Sequence, residues 1–417
     1  MSTEPSTSVD LKRWLTSHGG FLHPLVSFTE GKFGLSAIAQ DTINTDTTIV
    51  SCPLSLVIDV QRALHALTAL LGESTSIHLQ SWSERRLICT YICFHWIMPD
   101  SRRVKLDLPI PDVLRHTPYL KSLPPTDALL TPLQFTPSEL EAFRGTNIYG
   151  ATHDRQESWK AEWNQCQTFI HAINSEWADK YTWDKYLIAS TYLSTRAFPS
   201  TLLSRAPTLQ TTSSSYPIMI PGVDILNHSR GQPVTWFKSY PDGSTDERDD
   251  LATISIISHT TTRLGEEVFN NYGLKANDEL ILGYGFSLPQ NPDDKITLQM
   301  GGSPNKWVID RHANGAEGLW NEVRQLVAED PKEIGYESDL AAAELLLELV
   351  QKKYDLLPEV PHVEDATIRP AVRLMLEHYL EGQRDVLNSL KSYFEEKEKA
   401  AIEAAREAGV EFVFDDE

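Results

Sequence analysis

Apolar positions follow a helical period through the middle and the end of this chain, and a strand period in the stretches between. Across residues 61–185, ALHALTALLG, WSERRLICTYICFHWIM and SWKAEWNQCQTFIHAINSEWA repeat apolar side chains every three or four positions, which predicts helices. Proline-rich connectors, Leu108–Pro111 and Leu123–Pro137, separate them. Residues 10–60 predict a small β unit. Its short helix, VDLKRWLTSHGG, has Asp10 as a cap and stops at Gly19–Gly20. The glycine turn EGKFGL leads into LSAIAQ, and TTIVSC and LSLVID follow as β-rich runs parted by Pro53. Residues 186–300 mix both types. YLIASTYLSTRAF predicts a helix, PIMIPGVDILNHS turns abruptly from apolar to polar, and VTWF and ATISIIS are strands around the charged, turn-rich FKSYPDGSTDERDD. EEVFNNYG ends a strand in a turn, and NDELILGYGF is a short helix. From 301 to 417 the pattern is helical: AEGLWNEVRQLVAE, DLAAAELLLELVQKKYDLL, and a run from Ile368 to about Ala408 whose Glu/Lys/Ala density predicts a solvated face. The chain thus reads as α+β: a β unit, a helical insert, a β/α segment and an all-α C-terminal domain.

Composition removes several classes. With 41% hydrophobic and 23% charged residues over 417 positions, the chain is neither disordered, collagenous nor a disulfide-rich miniprotein. No apolar run approaches the ~20 residues of a membrane span, and the polar start MSTEPSTSVD does not read as a secretory signal. A net charge of −21 repels phosphate backbones, which argues against nucleic acid as a partner. Residues 301–417 alone carry 13 basic against 26 acidic residues, a net of −13, compatible with a basic protein partner or with plain solubility. The four cysteines form no CxxC pair. Cys89 and Cys93, spaced i,i+4 in an apolar stretch, suit a buried structural pair better than a metal site, which would recruit four ligands. This usage fits a reducing compartment, cytoplasm or nucleus.

Walker A, GxGxxG, GxSxG and HExxH motifs are all missing. Two polar clusters stand out instead. Asp224-Ile225-Leu226-Asn227-His228-Ser229 closes an apolar run; it could be a helix end with polar caps, or a metal site on Asp224 and His228, although no further ligand cluster lies nearby. Asn270-Asn271-Tyr272-Gly273 and Gly283-Tyr284-Gly285-Phe286 set tyrosines beside glycines. That is compatible with turn packing, and equally with a ligand approaching the backbone closely and meeting an aromatic face and a hydroxyl.

Taken in order, EGKFGL, STRAF, DILNHS, FNNYG and LGYGF resemble the SET-domain protein methyltransferases of the Rubisco large-subunit methyltransferase type, over roughly residues 10–400. The resemblance implies a SET fold split by a helical insert (10–60, 61–185, 186–300) and a helical substrate-binding domain (301–417). It also implies S-adenosylmethionine as cofactor and no metal. Glu30, Gly31, Lys32 and Phe33 would form a cofactor turn, and Arg196 would border the cofactor pocket. Asn227 would hold the cofactor's amino-acid part and the His228 backbone its adenine. Asp224 would begin the cofactor-and-substrate strip, Tyr272 matches the catalytic tyrosine, and Tyr284 and Phe286 would line the cofactor and lysine channel. The implied chemistry delivers a neutral amine in line with the methyl–sulfur bond.

This chain departs from the family pattern at three points. EGKFGL is one residue longer than EGxGL, so either Glu30 or Gly31 fills the acidic position. No cysteine cluster follows YGF, so the zinc-binding tail of histone-type SET enzymes is missing. An actin-histidine relative has asparagine at the position of Phe198 and tryptophan at that of Val223, so Phe198 and Val223 favour a lysine pocket. The expected function is protein-lysine N-methylation of a non-histone protein, such as a ribosomal protein or elongation factor, by a monomer. A catalytically inactive SET-fold binding module and a histidine-directed methyltransferase are the alternatives.

Overall fold

β-Branched runs bounded by turn residues become short antiparallel strands, and the helical block between them is almost wholly apolar inside. The computed structural model describes residues 4–31, 34–98, 113–240, 251–328 and 335–410. Two compact units divide the chain: Met1–Leu129 with Asp154–Gly273, and Leu130–His153 with Leu274–Glu417. The second unit therefore begins before residue 301 and takes in a piece of the expected insert.

In the first unit, strands β1 (Phe21–Leu22), β2 (Val26–Gly31), β3 (Gly34–Ala39) and β4 (Thr47–Pro53) precede the helical block. Strands β5 (Ala197–Pro199), β6 (Pro217–Met219), β7 (Val234–Ser239) and β8 (Thr253–Ser258) follow it. One sheet has the order β1-β4-β8-β7, so it joins both sides of the insert. β2–β3 is a hairpin in which Gly31 pairs with Gly34, and β5–β6 is a two-stranded ribbon. The helices Val60–Leu71, Glu84–Ile97 and Trp183–Arg196 start on the side-chain caps Asp59, Ser83 and Thr182, which satisfy amide groups the first turn leaves unpaired. Every residue from Leu87 to His95 is buried, so this helix lies inside the core and lacks an amphipathic stripe. Cys52, Cys89, Cys93 and Cys166 are buried free thiols, and no group of three or more potential metal ligands occurs among the described residues.

Three local expectations change. The first helix spans Ser6–Ser17 and begins after Pro5, so Asp10 lies within it and pairs with Arg13 at 3.1 Å. LSLVID is a 3-10 turn, Leu54–Leu56, followed by an isolated pairing of Ile58 with Met219. EEVFNNYG forms isolated pairings in place of a strand. The Asn270 and Asn271 carboxamides bond to the amides of Asn271 and Gly273, and such local bonds compete with a ladder. The sequence segments Leu108–Pro111 and 241–250 lie outside the described residues.

The second unit is helical with one hairpin that the periodicity did not predict. Helices Asn277–Tyr284, Ala316–Val327, Tyr336–Asp355 and Pro370–Glu407 accompany strands β9 (Lys295–Leu298) and β10 (Trp307–Asp310). The long last helix is solvated on one side only; Val372, Leu376, Leu380, Leu387, Leu390 and Phe394 are buried on the other. A polar knot ties these pieces together. Asp294 accepts from the Asn277 amide at 2.7 Å and side chain at 3.0 Å, and Arg311 spans Asp294, Glu381 and Asp385. Glu381 keeps Arg311 charged, while burial pushes the Asp294 carboxyl up to about 6 against the pull of Asn277 and Arg311. At Gly382 an added Cβ would sit 2.1 Å from Asp294 Oδ2.

Gly382→Ala should therefore destabilise the unit by about 1–3 kcal/mol, read from urea or thermal unfolding. Because the native Asp294 holds its proton up to a higher pH than an unfolded aspartate, its contribution to stability falls as pH rises from about 4 to 6. Asp294→Asn should remove that slope, so the melting temperature of the variant should gain on the wild type across this window.

Candidate active site

The polar cluster that ends the apolar run PIMIPGV is buried as soon as it begins. Gly222 (φ +85°) turns the chain into a 3-10 turn, Val223–Ile225, and places Asp224 inside, with its side chain 0% exposed. A carboxylate there needs partners. The Tyr119 hydroxyl donates to Oδ2 at 2.7 Å, and Arg196 Nη1 donates to the same oxygen at 3.2 Å and to the Asp224 carbonyl at 3.0 Å. Burial raises the Asp224 carboxyl above its ordinary value, and Arg196 and Tyr119 oppose that. Burial also holds the Tyr119 hydroxyl well up, so it stays a donor. Oδ1 of Asp224 is buried without a hydrogen-bond partner.

Two residues further, the chain runs alongside the FNNYG segment. The Asn270 amide donates to the Asn227 carbonyl at 2.8 Å and the Ser229 amide to the Asn270 carbonyl at 2.9 Å, a short parallel pairing of His228 with Asn270. This brings Asn227, His228 and Tyr272 together. The Asn227 Nδ2 donates to Glu267 Oε1 at 2.7 Å, with longer contacts to the Leu35 carbonyl at 3.3 Å and Ser36 Oγ at 3.4 Å. His228 Nδ1 accepts from the Tyr272 amide at 3.0 Å, and the two rings stack at 5.2 Å. The ring is thus engaged as an acceptor, which excludes the metal-ligand role for that nitrogen. The Tyr272 hydroxyl donates to the Leu226 carbonyl at 2.9 Å. Gly273 (φ +90°) takes the left-handed turn that ends the segment.

The expected cofactor turn is the β2–β3 hairpin, with Glu30 paired to Leu35; Lys32 and Phe33 lie outside the described residues. Glu30, Gly34 and Leu35 line a cavity of about 690 Å³ together with Trp96, Tyr192 and residues 120–126. Arg196, Asp224, Asn227 and Tyr272 do not line it, although Asn227 bonds to the Leu35 carbonyl on its wall. Phe198 packs on Trp236 at 5.3 Å, and Val223 is fully buried. Tyr284 and Phe286 belong to the second unit, where their rings meet edge-on at 6.1 Å and Lys275 lies 5.7 Å over Tyr284. Gly285 between them has φ +80°, and an added Cβ would stand 2.8 Å from the Leu130 backbone, so the position demands glycine. Tyr119 and Glu267 were not legible as site residues: Tyr119 sits on the helix Thr117–Ser122 outside any motif, and Glu267 takes its role only from a partner 40 residues away.

Short antiparallel sheets split by a helical block, with Asn227-His228 laid beside a tyrosine turn, give this chain the fold of the SET domain of LSMT. The solved SET domain of LSMT bound to lysine and AdoHcy superposes with a TM-score of 0.72 at 18% identity, covering 96% of this chain and 94% of that one. Among curated proteins, Ribosomal lysine N-methyltransferase set10 of Schizosaccharomyces pombe is 29% identical over 294 residues, 69% of this chain and 47% of that protein. Protein-lysine N-methyltransferase EFM1 of Saccharomyces cerevisiae is 26% identical over 383 residues, 86% of this chain and 62% of that protein. The chain thus spans about half to three-fifths of those relatives. No family model matches it.

Tyr119→Phe removes a hydrogen bond to a buried carboxylate and should cost about 1.5–3 kcal/mol of stability. Glu267→Ala, which frees Asn227 on a partly exposed face, should cost about 1 kcal/mol. Chemical denaturation checks both, and equal losses for the two variants would contradict the difference in burial.

Proposed function

We propose that this chain is an S-adenosylmethionine-dependent protein-lysine N-methyltransferase acting on a non-histone protein, with ribosomal proteins the first class to try. The observation that carries the proposal is the clamp of Asn227-His228 against Asn270–Tyr272, which fixes a tyrosine hydroxyl at the Leu226 carbonyl. The names of the curated relatives, lysine methyltransferases, and the acidic charge support it. The four buried free thiols fit action in the cytoplasm or nucleus.

The residues present fit the cofactor. Asn227 has its amide nitrogen committed to Glu267, which leaves its amide oxygen to accept from an amine. The orphaned Oδ1 of Asp224, three residues earlier, is a second acceptor. The bound sulfonium would supply the methyl group already activated. The chain's task is then to present a neutral amine, against a free-lysine pKa of about 10.4. The partly exposed Phe198 would offer an apolar wall that disfavours an ammonium, while Val223 is buried in the core. Tyr272, anchored through its own hydroxyl and through its amide to His228, would hold the rim of the channel and keep Leu226 oriented; carbonyl and hydroxyl oxygens guide a methyl group by contacts worth ~0.5–1 kcal/mol each.

The test is methyl transfer from labelled S-adenosylmethionine to ribosomal proteins, with amino-acid analysis of the product. Tyr272→Phe should lower kcat by about tenfold or more while the cofactor Kd stays within about threefold, and Asn227→Ala should weaken cofactor binding. Methylhistidine in the product would replace the lysine assignment with the histidine one. A folded wild-type chain that binds no cofactor would leave a binding module.

A further inference from the structure

Strand alternation gives the β9–β10 hairpin two different faces. Ile296 and Ile309 pair across it and are buried, while the pairs Lys295–Asp310 and Thr297–Val308 share the opposite face. On that outer face Lys295, Val308 and Asp310 line a cavity of about 430 Å³, together with Leu274, Asp293 and Asn314. The loop after β10 is pressed onto the strand: at Gly315 (φ +94°) an added Cβ would stand 2.1 Å from the Val308 carbonyl.

The lining combines exposed apolar surface with negative charge. Val308 is 51% exposed and Leu274 71%, and large apolar side chains left open in one cavity mark a contact surface. Lys295, the cation among the described lining residues, is already paired with Glu279 at 2.8 Å. Asp310 is held by neutral amides: the His312 and Asn314 backbone amides donate to it at 2.9 and 3.1 Å, and the Asn314 side chain at 2.9 Å. Burial would raise the Asp310 carboxyl, but these bonds outweigh it and keep it below its ordinary value, so the group is an anion at neutral pH. Asp293 adds a second carboxylate. Neither belongs to a group of three or more potential metal ligands among the described residues.

We infer that this cavity docks a lysine or arginine side chain of the protein substrate, other than the lysine that is methylated. The inference rests on the methyltransferase reading above. A long basic side chain meets both features: its methylene stem covers Val308 and Leu274, and its charged head reaches Asp310 and Asp293. The net charge of −21 favours a basic protein as the occupant and disfavours a second copy of this chain. Leu274 is the second residue after Tyr272, so in the chain the cavity begins where the tyrosine turn ends.

The test is methyl NMR on the full chain at low salt, with two probes. One is an acetylated, amidated Ala-Leu-Arg-Ala-Leu-Arg-Ala peptide; the other carries citrulline at both arginines, which keeps the shape and removes the charge. The first should shift the Leu274 and Val308 methyl signals, with an affinity that falls as salt is added, and the second should not. Val308→Lys, which sets an ammonium beside Asp310 at an exposed position, should weaken the arginine peptide about tenfold, while Val308→Glu stays within about threefold. Val308→Lys should also slow methyl transfer to limiting ribosomal protein about tenfold and leave the cofactor Kd unchanged within about twofold. Equal responses to the two peptides, an unchanged affinity in Val308→Lys, or calcium chloride displacing the peptide more than sodium chloride does at equal ionic strength overturns the docking site. Peptide binding here with methyl transfer untouched by Val308→Lys overturns the substrate assignment alone. Peptide binding by a wild-type chain that transfers no methyl group overturns the methyltransferase reading, and the substrate assignment with it, and leaves a docking cavity for a basic partner.

Discussion

Two backbone hydrogen bonds hold the site together: Asn270 to the Asn227 carbonyl and Ser229 to the Asn270 carbonyl. Without that pairing, Asn227 and His228 would end one segment and Tyr272 would end another, with no reason to meet. The pairing also orders its surroundings. It brings Glu267 to the Asn227 amide and the Tyr272 amide to the His228 ring, so the Asn227 and His228 side chains are each fixed by a bond of their own. A constellation anchored at both ends in this way keeps its geometry without help from a ligand.

The buried Asp224 plays a different part. An isolated carboxylate in that position would be costly, and the structure offsets the cost with one donor from the insert, Tyr119, and one from the helix that closes it, Arg196. The helical block is therefore bonded to the strand segment of the site as well as packed beside it. In the second unit the same logic recurs around Asp294, where Asn277, Arg311 and the tight space at Gly382 join the hairpin, the short helix and the long terminal helix.

What could be read in the residues was whatever is decided locally. Helical periods located the insert and the C-terminal helices, and the glycines of EGKFGL marked a turn, which the backbone shows between β2 and β3. The resemblance in motif order gave the fold. LSLVID could not be resolved this way, because its β-branched content is overridden by the 3-10 turn Leu54–Leu56, after which Ile58 makes an isolated pairing with Met219. The hairpin β9–β10 was hidden for a similar reason: each strand is four residues long, and β9 packs against the terminal helix Pro370–Glu407, far along the chain. Tyr119 and Glu267 became site residues only through partners brought near by the fold.

The order β1-β4-β8-β7 carries a consequence for how the protein is made. β4 is complete at Pro53, but its partner β8 does not exist until Ser258. At a ribosomal pace of roughly 5–20 residues per second, β4 waits about ten to forty seconds with one apolar edge unpaired, while the insert emerges and can already fold on its own local contacts. During that interval TTIVSCP is a β-branched edge open to any other strand. The strand order thus leaves β4 open throughout that interval, a feature that the finished four-stranded sheet, with β4 between β1 and β8, no longer reveals.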